Sequence, residues 1–172
     1  SRCELARGDI AAAERALAEA VPVLQLGIPG WVASEVVSQQ ITVALAQDDE
    51  AAAAGALQQA GVSAALPVTY ATEVLHLAWL TLLVHSRQPD LAAAETLANQ
   101  LLASAEPAGR MAVVLQVLLL RAQVLAAQGR QAAARQDVEH ALALAEPEGY
   151  VRVFVNAGPA LLPLLRAAHT HR

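Results

Sequence analysis

Lysine is missing altogether: all 11 basic residues are arginines, set against 16 carboxylates for a net charge of −5. No arginine-rich patch stands out along the chain, so it offers nucleic acid no basic stripe. Cys3 is the only cysteine, which excludes an intrachain disulfide and is compatible with a reducing compartment. Aromatic residues make up 3% and β-branched runs are few, while hydrophobic residues reach 56%. That balance disfavours sheets and suits helices packed through Ala and Leu, so the expected class is all-α. Two apolar runs look membrane-like at a glance. Residues 75–84 are too few to span, and residues 111–127 are broken by Gln116, Arg121 and Gln123; buried inner helices explain both, and no membrane partner is expected. No signal or transit segment is recognisable.

Catalysis also lacks its signatures. There is no nucleophile motif and no metal-ligand spacing, and a GxxxxGK[ST] phosphate loop cannot be completed without lysine. An enzyme is therefore not expected, nor a bound cofactor or metal. His169 and His171 form a tail pair with no cysteine or acidic cluster beside them. Asp48, Asp49 and Glu50 are an acidic run at a helix start, where the helix dipole accounts for them without calcium.

What the chain does have is a repeat. Residues 111–145 read as one helix, turn, helix unit with its turn at Gln128-Gly129-Arg130, and the same register falls on Arg7-Gly8-Asp9, Gln47-Asp48-Asp49 and Gln88-Pro89-Asp90. The turns lie 40, 41 and 40 residues apart, and three residues past each begins a triplet of alanines, ending at Ala13, Ala53, Ala94 and Ala134. A constant period of this kind marks an array of helical hairpins. Alanine at one fixed place lets the second helix of each pair lie close against the first.

The turns divide the chain into helices. Expected spans are 9–21, 31–47, 49–60, 68–86, 90–105, 110–128 and 130–145, separated by connectors at 22–30, 61–67, 106–109 and 146–149. Asp9 is expected to cap its helix. After residue 149 the pattern changes to a short helix stopped at Gly158 and a final helix begun by Pro159. Residues 1–149 are thus read as the repeats, the first truncated, and 150–172 as capping helices of the same domain. The chain starts at Ser1, and residues 1–7 read as the end of a helix whose beginning is absent, so a longer parent is expected.

The segment Ala141-Leu142-Ala143-Leu144-Ala145-Glu146-Pro147-Glu148-Gly149-Tyr150-Val151-Arg152-Val153-Phe154-Val155, followed by Gly158-Pro159 and the leucine-rich residues 161–165, resembles the end of the sensor region in large ATP-dependent LuxR-family activators of the MalT type. The upstream 40-residue repeats are similar to that family's tetratricopeptide-like superhelix, so the resemblance covers essentially the whole chain. Asn156-Ala157 stands where the family usually carries an acidic pair. The resemblance implies a right-handed superhelix of antiparallel helix pairs in a cytoplasmic bacterial transcription regulator. It implies a small-molecule inducer or a regulatory protein as partner and control of homo-oligomerisation in the parent. ATP and DNA would be bound by a nucleotide-binding module and a helix-turn-helix elsewhere in that parent. A non-switching tetratricopeptide-like scaffold is the alternative.

Repeat arrays bind along the face lined by one helix of each pair. In the first helices, apolar residues recur fifteen, twelve and five places before the turn, for instance Val36, Leu77 and Val117, and are expected to form the core. A second stripe at helical spacing varies in chemistry: Trp31, Glu35, Ser38 and Thr42; Thr72, His76, Trp79 and Leu83; Ala112, Gln116, Leu119 and Gln123. This stripe is the expected groove, with Glu35, His76 and Gln116 as a polar row and the two tryptophans as an aromatic face for a ligand.

Overall fold

A computed structural model describes residues 7–22 and 30–170. Cys3, most of the 1–7 and 22–30 segments and His171 lie outside them. The described residues form helices α1 (Ile10–Ala20), α2 (Gly30–Ala46), α3 (Glu50–Gln59), α4 (Glu73–His85), α5 (Leu91–Ala105), α6 (Met111–Ala127), α7 (Gln131–Ala145), α8 (Arg152–Asn156) and α9 (Leu162–Thr170), with a 3₁₀ turn at Pro159–Leu161 before the last. No strand occurs among them. The chain is all-α and tetratricopeptide-like, as the 40-residue period predicts.

The helices gather into two compact units, Ser1–Arg87 and Gln88–Arg172. In the first, α2 packs against α1, α3 and α4. In the second, α6 packs against α5, α7 and α8, and α7 against α9. The boundary falls in the third turn, where Pro89 stands in place of the residue that is Gly8, Asp48 and Gly129 in the others.

The repeat signature has a structural cause at each position. The third alanine of every triplet, Ala13, Ala53, Ala94 and Ala134, is 0% exposed, whereas the first, Ala11, Ala51, Ala92 and Ala132, faces solvent. Asp9, Asp49 and Asp90 each accept the backbone N–H three residues on, at 2.9, 2.9 and 3.0 Å, capping α1, α3 and α5. Arg130 takes the fourth cap position without a side-chain cap bond.

Two of the turns close alike. After α6 the Arg130 N–H reaches the Leu125 carbonyl at 2.8 Å over Gly129 at φ +80°, and after α2 the Asp49 N–H reaches the Ala44 carbonyl at 2.9 Å over Asp48 at φ +58°. Asp48 is thus an L-residue held in the left-handed region, which glycine enters without a Cβ clash. Asp48→Gly is expected to raise stability by about 0.5 kcal/mol. Urea denaturation checks this, and a loss of similar size would show that the aspartate side chain matters more than the backbone.

Most expected helix limits agree with those observed to within two residues; two features need correction. The third first-helix begins at Glu73, not at residue 68, because the Thr72 hydroxyl closes a turn ahead of it: it donates to the Pro67 carbonyl at 2.8 Å and accepts the Thr69 N–H at 2.9 Å. The core rows also shift. Val36 and Leu77 are only half-buried, while Val117 is sealed. The rows buried in all three first helices lie fourteen and nine residues before the turn: Ser34, Leu75 and Leu115, then Gln39, Leu80 and Leu120. In α2 those rows carry polar residues, so apolar character alone did not mark them. The run at 111–127 is an inner helix, with Val114, Leu115, Val117, Leu118 and Leu119 almost wholly buried. No helix among the described residues is long and apolar enough to cross a membrane.

Candidate functional site

The expected stripe divides by burial. In the first unit Trp31, at the start of α2, is 71% exposed. Thr42 is exposed, and its hydroxyl donates to the Ser38 carbonyl at 2.9 Å. Glu35 and Ser38 are half-buried, and Glu35 accepts from the Gln39 amide at 3.2 Å. Thr72 is spent on the turn before α4. His76 is 1% exposed, and Trp79 packs its indole onto the cluster of Ile41, Ala44, Ala53, Leu57 and Ala78. In the second unit Gln116 is exposed and donates to the Ala112 carbonyl at 3.0 Å. Leu119 and Gln123 are buried; the Gln123 amide donates to the Leu119 and Ala157 carbonyls, both at 3.3 Å, and so ties the segment after α8 to α6. His76, Trp79 and Gln123 are therefore engaged in holding their own units together. Trp31, Thr42, Ala112 and Gln116 are the stripe positions that face solvent.

Sequence reading missed a second place, on the other side of the hairpins. A cleft of about 320 Å3 in the second unit is lined by Glu95 and Asn99 of α5, Arg121 and Leu125 of α6, Arg130 just ahead of α7, and Ala133, Gln136 and Asp137 of α7. Its floor is a charged network. The Arg121 guanidinium grips Asp137 through two bonds of 2.7 Å and donates to the Asn99 side-chain oxygen at 2.8 Å. Arg130 donates to Glu95 at 2.6 Å, and the Gln128 amide meets the other Glu95 oxygen at 3.0 Å.

These bonds set the charges. Donation from Arg130 first, and from Gln128 next, holds the Glu95 carboxyl below the usual carboxylate range. The Asp137 carboxylate makes the Arg121 guanidinium harder to deprotonate than usual. Two cations thus face two anions, and the cleft is polar with no net charge among these four groups.

Two signals in the sequence could have located it. One is Arg121 itself, since a cation inside an apolar inner helix has to be paired. The other is a spacing of 33 residues: Gln47 donates to Glu14 at 3.2 Å just as Gln128 donates to Glu95. The glutamine before the turn reaches back to a glutamate on the second helix of the preceding repeat, twice over. Arg121 and Asp137 have no such counterpart, as Gln40 and Ala56 stand in their places in the second repeat.

A family model described as the MalT-like TPR region matches residues 1–171. The chain belongs to that family. No curated protein and no solved structure matches it. The matched range takes in both the repeats and the segment after residue 149. Among the described residues, no group of three or more His, Cys, Asp or Glu side chains is placed to hold a metal ion.

Proposed function

We propose that this chain is the sensor domain of a cytoplasmic LuxR-family regulator of the MalT type. It binds a small-molecule inducer or a regulatory protein and thereby controls oligomerisation of its parent, in which other modules bind ATP and DNA. The observation that carries this reading is the match of the MalT-like TPR region to residues 1–171. For a small inducer, the second-unit cleft is the site we favour. It has the volume of a small-ligand pocket, and its arginine and carboxylate groups are held in place by one another. With those four charges paired, it suits a small, polar, uncharged molecule that exchanges hydrogen bonds with Asn99 and Gln136. The solvent-facing stripe residues of the first unit, Trp31 and Thr42, with half-buried Glu35 and Ser38, are the proposed surface for a protein partner, because exposed aromatics beside polar groups are frequent anchors in such interfaces.

A ligand can switch the parent only by preferring one of its states. The test is a thermal melt of this chain against a panel of small polar metabolites. An inducer is expected to stabilise it by about 2.7 kcal/mol at a hundredfold excess over its dissociation constant. Gln136→Ala, at an exposed position, is expected to remove that gain while leaving the ligand-free melt unchanged, whereas Asn99→Ala also loses the bond from Arg121 and should lower that melt as well. The same compound should change the oligomeric state of the parent. A panel that never shifts the melt, together with a protein partner whose binding leaves the parent's oligomeric state alone, would establish the scaffold reading instead.

A further inference from the structure

His76 is in an unusual position for an imidazole. Its ring is buried at the start of α4, with Nδ1 2.9 Å from the Thr72 carbonyl oxygen and Nε2 3.1 Å from the Leu66 carbonyl oxygen. Both neighbours are acceptors and nothing else. A neutral imidazole has one N–H and one bare lone pair, so it can bond one of these carbonyls while its lone pair faces the other. The doubly protonated ring has two donors and satisfies both.

Between Arg15 and Arg87 the chain has no arginine or lysine. The elements packed against α4 are α2 and α3, and the titratable groups they carry are Glu35 and Glu50. The connector at 61–72 adds Tyr70, and α4 itself adds Glu73 and His85. Of these carboxylates Glu50 is engaged by Arg87, just past α4, and Glu35 accepts from the Gln39 amide, so the polar partners of the His76 ring are the two carbonyls.

The two carbonyls belong to the connector between α3 and α4. Leu66 lies ten residues before His76, in the middle of a stretch that is tied to α3 through Gly61 and Val62 and is otherwise bonded within itself, through Ser63 and Leu66 and through Pro67, Thr69 and Thr72. We propose that His76 is a proton-operated clasp on the 61–72 connector: the doubly protonated ring ties Leu66 to α4 while also bonding the Thr72 carbonyl, which the His76 backbone N–H already holds at 3.0 Å, and loss of one proton leaves a single ring N–H for two carbonyls, so that the tie to Leu66 weakens. Because the closed connector binds the extra proton, closure strengthens as pH falls and weakens as pH rises. The connector displays an aromatic ring to solvent, Tyr70, 79% exposed. Release therefore changes how firmly that ring is presented, a response that goes beyond ligand sensing.

Trp79 supplies a reporter, its ring centroid 6.4 Å from that of His76. Trp31→Phe leaves it as the sole tryptophan. The chain is titrated over about pH 5 to 8, the range in which imidazoles change charge. Nitrogen-15 spectra of the His76 ring, Trp79 emission and amide exchange of residues 61–72 are followed together. The expected result is N–H on both ring nitrogens at the acid end and on one at the alkaline end. Trp79 emission should follow the same transition, with a several-fold loss of connector protection beyond the intrinsic pH dependence of exchange. His76→Gln, which stays uncharged, should abolish both responses. A ring that keeps the same number of protons throughout would overturn the proposal, as would a titration that leaves connector protection unchanged. The ring spectrum and exchange of the unsubstituted chain decide between these outcomes even where the glutamine variant fails to fold.

Discussion

Ala134→Leu is expected to cost about 3 kcal/mol, at the upper end of what overpacking a close helix contact does. Ala132→Leu, two residues away on the same helix, should leave stability within about 0.5 kcal/mol. The contrast follows from the register. Ala134 is fully buried in α7, which packs against α6, and α6 has Val117, Leu118 and Val124 among its fully buried residues. Three added carbons have nowhere to go unless the helices separate, and separation would strip contacts along the pair. Ala132 points to water, where leucine keeps most of the helix propensity of alanine. Urea denaturation of both variants reads the difference. Equal costs at the two positions would mean that the alanine triplets reflect composition and not helix spacing.

Asp137→Ala is expected to be about as damaging, costing about 3 kcal/mol. Asp137 is buried and the Arg121 side chain only 23% exposed. Removing the carboxylate leaves a guanidinium with one neutral partner, the Asn99 oxygen, in a place where water can reach only part of it. Replacing both charged residues at once, Arg121→Met with Asp137→Leu, should recover much of the loss, because neither ion is then left behind. A single Asp137→Ala variant that unfolds at the wild-type urea concentration would show that solvent replaces the carboxylate with ease. The same pair of measurements bears on the cleft, since a ligand gain lost in the stable double variant would place the network in binding and not merely in folding.

How much was readable beforehand depends on the kind of interaction. The cap at Asp9 and the turn over Gly129 are local chemistry, decided within a few residues, and the sequence shows them directly; Asp49 and Asp90 stand in the same register and the structure adds their caps. The late start of α4 was not readable in this way. Val68, Thr69 and Tyr70 are compatible with a helix, and it took the Thr72 hydroxyl folding back on Pro67 to exclude one. Burial of Ser34 and Gln39 was missed because a polar residue at a core row is invisible to a search for apolar spacing. The stripe through Trp31, Glu35, His76 and Trp79 was drawn from one helix at a time. Such a helix has two inward sides where three partners surround it, and α2 has α1, α3 and α4.

By itself, then, the sequence determined the all-α class, the 40-residue period, the place of the close helix contact and the family. Each of these rests on propensities and spacings that a chain carries before it folds. Only the tertiary structure decided that His76 lies between two carbonyls ten and four residues behind it. Nor could the sequence show that Gln123 ties down the segment after α8, or that Arg121, Asp137, Glu95 and Arg130 assemble one cleft. These are meetings of groups on different helices or across a folded connector, and their geometry is set by how backbones pack against each other, which no local pattern encodes.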